Sequence, residues 1–304
     1  MIEYSLSLDN GPSPNGKALD SDSIIFKVRI LVGQFFRKHH ANGAFLLHRK
    51  LRNPSIFKED DDMYQFKSRV RFSEVDSQLH MTLPSIINYF QDCSTFHSDS
   101  IGYGIEVMME QGYAWILSSW QIIINRYPKF GEEITVSTWA HGWKAFFGYR
   151  NFKLEDTEGN LLAYANTNWI YMNIRTGHPE RIPKEICDLY KCEPALPMEE
   201  SSRKITPPAK GTGITPIQVH RYDIDSNNHV NNERYVPMAM ECLPEGAQIR
   251  QLRVEYRNSA VYGDTIYPVY HREEDLLKVS LNDSDGKPYA IVEFQLAPLS
   301  DQAD

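Results

Sequence analysis

Cysteine is scarce here, and what there is does not pair. Cys93, Cys187, Cys192 and Cys242 are scattered over 304 residues with no Cys-x-x-Cys spacing, which argues against a disulfide framework and against a finger-type metal site. Such usage fits small buried apolar groups in a reducing compartment, so a cytoplasmic location is expected. Long apolar runs are missing too: nothing approaches the roughly 20 residues that cross a bilayer, and no stable membrane insertion is expected. Positive charge is in deficit. A net charge of −8 gives a nucleic-acid role no electrostatic support. There is no Gly-x-Ser-x-Gly elbow for a serine hydrolase, and "GYG" and "GTG" do not extend to a dinucleotide fingerprint. No cofactor and no resident metal are expected.

What is present divides unevenly. Residues 1–62 begin with the polar, turn-rich "SLSLDNGPSPNGKALDSDS" and continue through an apolar, basic stretch interrupted by Lys27 and Arg29. They end at the acidic run Glu59 to Asp62 and read as an N-terminal extension, expected to be flexible. Regular patterning starts at Met63, a candidate start in its own right.

From there the chain is written twice on one plan. "YQFKSRVRFSEVD" leads into "DSQLHMTLPSI", and "VHRYDID" leads into "DSNNHVNNERY". Asp76, Ser77, Gln78 and His80 match Asp225, Ser226, Asn227 and His229 at one constant offset. A helix follows each. Leu83, Ile86, Ile87, Phe90 and Cys93 give the first its apolar stripe, with Thr82 as cap and Pro84 in the first turn. Tyr235, Met238, Ala239 and Cys242 give the second, capped by Asn231 or Asn232, and Gly102 and Gly246 follow the helix ends. Both halves then become strands, with Lys-Phe-Gly-Glu at 129–132 and Val-Tyr-Gly-Asp at 261–264 in the same place between two of them. Each closes on a hairpin with an acidic-Gly turn. The fold class is therefore α+β, a helix laid on a curved antiparallel sheet, twice. Residues 63–180 form the N-terminal domain, 219–300 the C-terminal one. The Pro- and Gly-rich 181–218 connects them.

The second repeat carries an unusually polar helix entry: Asp223, Asp225, Asn227, Asn228, His229, Asn231 and Asn232. A calcium loop would place oxygen ligands at Asp223, Asp225 and Asn227, but its sixth position needs Gly and its twelfth a bidentate Glu. Asn228 and Arg234 stand there, so that reading fails on spacing.

On "DIDSNNHVNNERY", "VEYRNSAVYGD", "EVDSQLHMTLPSIINYFQDCSTFHSDSIGYG" and "WILSSWQIIINRYPKFGEEITVSTW" the chain resembles the acyl-ACP thioesterases over about residues 63–298, and its bacterial members more closely than the plastid ones. That resemblance implies a tandem, or double, hotdog fold, acyl carrier protein bearing a fatty acyl chain as partner, and hydrolysis to free fatty acid. It also implies that the first half binds the acyl chain and the second half carries the chemistry. The family's catalytic Asp, Asn and His fall on Asp225, Asn227 and His229. Plant members place adjacent Glu and Cys downstream of Glu-Tyr-Arg; here those positions are Ser259 and Ala260, so Ser259 is a further candidate. Acyl-CoA hydrolysis, or binding of an acyl thioester without cutting it, are the competing readings. A homodimer stays open.

These residue types suit thioester hydrolysis. Backbone amides at a helix start can stabilise an oxyanion, here those from Asn227 to Asn231. A carboxamide can hold a carbonyl or a water. An imidazole, with an ordinary pKa of about 6.5, can accept a proton at neutral pH. Asp225 can act as base, as nucleophile, or by orienting its neighbours. Asp, Asn and Ser ahead of a helix are also ordinary capping residues. His80 and Gln78 read as a relic of the site or as tunnel wall, and Glu255 as a solvated or paired carboxylate. Trp115, Trp120, Trp139, Trp143 and Trp169 read mainly as core, some bounding the acyl tunnel with Phe90 and Tyr164. Lys144, Arg150, Arg203, Lys204 and Lys210 are candidates for docking an acidic carrier.

Overall fold

The apolar stripes of the two repeats become the two buried helix faces of one continuous core. The computed structural model describes residues 63–199 and 201–297; the expectations for residues 1–62 lie outside them. Helix α1, Leu83–Ser100, starts where Thr82 accepts the Ser85 amide at 3.3 Å with Pro84 in its first turn, as the cap chemistry requires. Leu83, Ile86, Ile87, Phe90 and Cys93 are all buried, and Phe90 packs between Trp120 and Phe152 at ring-centroid distances of 6.1 and 5.1 Å.

The strands of the first repeat are β1 (Tyr64–Arg69), β2 (Tyr113–Ile124), β3 (Glu133–Lys144), β4 (Phe147–Glu155) and β5 (Leu161–Asn173), with the short α2 (Ile105–Gln111) ahead of β2. Two residues of β6 (His178–Pro179) pair with β5, and α3 (Lys184–Leu189) opens the connector. The connector also holds β7 (Thr212–Gly213) and β8 (Ile217–Gln218). The second repeat contributes α4 (Tyr235–Met240), β9 (Ile249–Tyr256), β10 (Thr265–Glu273), β11 (Leu276–Asn282) and β12 (Pro288–Leu296).

All of these strands join one antiparallel sheet in the order β1, β3, β4, β5, β2, β9, β12, β11, β10, β7, with β8 also on β10. The order reads as a palindrome of the repeat. Its centre is the β2–β9 seam, paired from Ser119 with Glu255 to Ile123 with Gln251. The shift that carries Gly131 to Gly263 also carries Gln121 to Arg253, and those two residues face each other across the seam. A local two-fold therefore runs between equivalent strands. On the helix side, Trp120 and Ile122 meet Val254 and Leu252, so the core passes from one half to the other without a break.

The halves are not equal. α4 has six residues against the eighteen of α1. Asn231 caps a 3₁₀ turn, Asn232–Arg234, through the Glu233 amide at 3.0 Å. Pro244 follows closely and can neither donate to nor extend a helix, so Gly246, at φ +74°, lies in the turn beyond rather than at the helix end.

Beyond Tyr190, whose hydroxyl meets Ser98 of α1, the connector crosses the sheet face opposite the helices, satisfying polar groups on the way. Trp139 Nε1 donates to the Pro194 carbonyl at 2.9 Å, the Leu196 amide to Asn151 Oδ1 at 2.9 Å, and the Ile205 amide to Glu255 Oε2 at 2.7 Å. Glu255, also held by Arg257 at 2.9 Å, is thus a buried, paired carboxylate. Because Phe90 fills the junction of helix and sheet, Phe90→Ala should lower stability by about 3–5 kcal/mol, read as a fall in the urea midpoint at unchanged slope.

Candidate active site

Two loops, one in each repeat, are built by the same hydrogen bonds. In the second, Asp225 Oδ1 accepts the amides of Asn227 (2.7 Å) and His229 (3.3 Å), and the Asp225 amide donates to the His229 carbonyl at 2.8 Å. In the first, Asp76 Oδ1 accepts the amides of Gln78 and His80, both at 2.9 Å, and its own amide donates to the His80 carbonyl at 2.8 Å. Asn228 and Leu79 occupy the corresponding left-handed position, at φ +61° and +63°. Asn tolerates it; Leu does so only under constraint. Glu74 and Asp223 accept the amides of Arg71 and His220, both at 2.8 Å. That accounts for Asp223: its buried carboxylate holds the turn before the loop.

The same parallel extends to the segments that follow β2 and β9. The Met81 amide donates to the Pro128 carbonyl at 2.7 Å, and the Val230 amide to the Ala260 carbonyl at 2.9 Å. The Ala260 amide donates in turn to the Tyr235 hydroxyl at 2.8 Å. This fixes the backbone of Ser259 and Ala260 alongside the loop, where Ser259 is exposed and Ala260 fully buried.

The amides expected to form an oxyanion hole are already engaged. Those of Asn227 and His229 go to Asp225 Oδ1, that of Asn228 to the Asp225 carbonyl, that of Val230 to Ala260, and that of Asn231 to the Asp223 carbonyl. A loop this tight closes on itself, and the donors left for a ligand are side chains. Asn227 is exposed, with its Nδ2 only 3.4 Å from Asp225 Oδ2; His229 is half-buried. Asp225 directs its carboxylate at the loop's own backbone.

A cleft of about 860 Å³, part of it open to solvent, lies in the first repeat, and Ser226 and Asn227 of the second also line it. Trp115, Trp143 and Trp169 line it along with Ile105, Met108 and Met109. Of the five tryptophans, those three bound the cleft. Trp120 and Phe90 belong to the core, and Tyr164 is outside the lining. Of the four candidate residues, Asn227 lines the cleft; Asp225 and His229 share its loop, and Ser259 is brought beside that loop by the sheet. Gln78 and His80 are not part of the lining. α2 is the element that sequence pattern missed. Its Ile105, Met108 and Met109, spaced at three and four residues between Gly104 and Gly112, were the available signal.

Arg150 is a correction. Its place among basic docking candidates fails because it is only 7% exposed and lines the cleft from inside. Lys144, Lys204 and Lys210 are exposed, while Arg203 lies over the Phe147 ring at 4.9 Å. Arg150 Nη1 lies 2.9 Å from His97 Nδ1 and 3.1 Å from Thr138 Oγ1. A guanidinium only donates, so Nδ1 accepts and the His97 ring proton is on Nε2. Burial, and then the Arg150 charge, lower the His97 pKa to about 3.

With this geometry in place, the known relatives can be compared. A model of the acyl-ACP thioesterase N-terminal domain matches residues 61–190, and one of the C-terminal domain matches residues 208–294. The chain belongs to the acyl-ACP thioesterase family. Among curated relatives, oleoyl-acyl carrier protein thioesterase 1 of Arabidopsis thaliana is 26% identical over 230 residues, covering 68% of this chain and 63% of the plant protein. The chain thus spans less than two thirds of that relative's length. An acyl-ACP thioesterase of Bacteroides thetaiotaomicron superposes with a TM-score of 0.73 at 24% identity, covering 79% of this chain and 100% of the other. The 12:0-ACP thioesterase of Umbellularia californica gives 0.69 at 19%, covering 80% and 100%. These likenesses show the family's fold, a tandem hotdog, in agreement with the repeat.

Two predictions follow from the loops and the buried ring. Asp225→Ala and Asp76→Ala each remove the acceptor of two loop amides and should each cost about 1–2 kcal/mol, measured by chemical denaturation. Unfolded, the His97 imidazole titrates near 6.5; folded, it stays neutral down to about 3. Below 6.5 the unfolded state therefore binds one more proton, and stability present above that pH is lost on acidification. His97→Gln, which keeps an acceptor for Arg150, should flatten the stability slope between roughly pH 6 and 4 by about one proton, or about 1.4 kcal/mol per pH unit.

Proposed function

We propose that the protein hydrolyses the thioester of a fatty acyl chain carried by acyl carrier protein, releasing free fatty acid. One observation carries this reading: Asn227 of the second repeat is part of the lining of the first repeat's largely apolar cleft. An acyl chain lying along Trp115, Trp143 and Met108 puts its thioester at that carboxamide. The names of the family relatives, oleoyl-acyl carrier protein thioesterase among them, support the carrier.

In this reading residues 63–180 bind the chain and 219–300 supply the chemistry. The carbonyl of a thioester is already electrophilic and its thiolate leaves readily. The protein's task is to hold the carbonyl, accept a proton from water and stabilise the charge that develops. Asn227 Nδ2 donates to the carbonyl oxygen. His229 takes the proton. Asp225 keeps both on a rigid loop. Ser259 lies nearby but is not required. No cofactor enters the scheme. The four cysteines are free thiols, which fits a cytoplasmic setting.

The duplicated loop supplies an internal control. Asn227→Ala and His229→Ala should each lower kcat/KM for acyl-ACP by about 10²-fold or more, measured as free acid released. Ser259→Ala should stay within about threefold. Asp225→Ala should lose both stability and activity, whereas Asp76→Ala and His80→Ala, in the loop the cleft does not reach, should leave kcat/KM near that of the parent. Parent-like turnover by His229→Ala would refute the assignment. Faster hydrolysis of the same chain on coenzyme A than on the carrier would favour the acyl-CoA reading.

A further inference from the structure

The cleft has one group that a plain hydrocarbon chain does not need. Arg150 is on β4, two and four residues from the buried Phe152 and Leu154, and so on the core face of the sheet. Its partners are all neutral. Nη1 donates to His97 Nδ1 and Thr138 Oγ1, and the guanidinium lies over the Tyr190 ring at 5.3 Å. Its Nε and Nη2 make no hydrogen bond among the described residues, and no carboxylate there pairs with it. A buried cation without an anion is costly, and His97, held neutral, adds no compensating charge.

The surroundings of Arg150 are also polar for an aliphatic tunnel. Ser94, Ser98 and Tyr190 also line the cleft; the Tyr190 ring lies under the guanidinium and its hydroxyl is 2.9 Å from that of Ser98. Ile105, Met108, Met109 and Trp115 make the apolar remainder. A chain matching this cleft is hydrocarbon over most of its length and carries an acceptor where it meets the guanidinium.

We propose that Arg150 is a substrate-recognition residue, and that the cleft takes acyl chains bearing an oxygen function, hydroxyl, carbonyl or carboxylate, away from the thioester. This rests on the thioesterase reading for the identity of the site, but its test need not. Non-hydrolysable amide analogues of acyl-pantetheine are prepared over a series of lengths, each as the unsubstituted, ω-hydroxy and ω-carboxy chain. Their binding is measured by titration calorimetry to the parent, Arg150→Met and Arg150→Lys proteins.

At the length that reaches Arg150, the oxygenated chain should bind at least about tenfold more tightly than the unsubstituted one. Arg150→Met should bring that ratio to about one, and Arg150→Lys should retain part of it. A larger gain for carboxylate than for hydroxyl identifies charge pairing; equal gains identify hydrogen bonding alone. A ratio near one in the parent at every length overturns the proposal, as does an unchanged ratio in a folded Arg150→Met protein. Should Arg150→Met not fold, the parent ratio and Arg150→Lys decide. Because no bond is cleaved in this assay, failure to hydrolyse acyl-ACP would count against Asn227 and His229 and leave the Arg150 result intact.

Discussion

The β2–β9 pairing is the constraint on which the rest of the molecule depends. Five residue pairs, Ser119 with Glu255 through Ile123 with Gln251, fix the register of one repeat against the other. A slip of one residue would turn Trp120 and Ile122, or Val254 and Leu252, away from the helices. With that register set, α1 and α4 share one core, and the loop of the second repeat is placed against the first repeat's cleft. Neither half owns the site. The lining comes from α1, α2 and the strands of the first repeat, from Tyr190 of the connector, and from Ser226 and Asn227 of the second repeat.

Much of this was legible because it is local. The Asp-Ser-x-x-His echo at 76–80 and 225–229 survives as an identical set of hydrogen bonds, since an Asx turn is written within five residues. The cap at Thr82, the stripe through Leu83, Ile87 and Phe90, and the glycine turns between strands follow from chemistry of the same short range. What could not be read depends on distant partners. That the Val230 amide is not available to a ligand depends on Ala260, thirty residues on. The burial of Arg150 depends on His97 and Tyr190, each more than thirty residues away in the chain. α2 is too short for its periodicity to stand out. α4 looked like the equal of α1 until Pro244 took effect.

The two loops also show how little separates a turn from a site. Asp76 and Asp225 do the same structural work, so the aspartate alone is explained without any function. What differs lies around it: Asn227 in place of Gln78, Ala260 in place of Pro128 on the facing segment, a six-residue helix in place of eighteen, and above all the cleft that only one of them lines. What tells the two loops apart is their position in the fold more than their motif.

The connector running over the back of the sheet has a further consequence. By tying the repeats into one chain it makes the seam an intramolecular contact, whose effective concentration does not change when the protein is diluted. Two separate copies meeting along the same strands would be governed by mass action, and by symmetry each would have to carry both a cleft and a competent loop. Covalent tethering removes both demands. One repeat is free to shorten its helix, the other to keep a long one beside its cleft, and the pair holds together at any dilution.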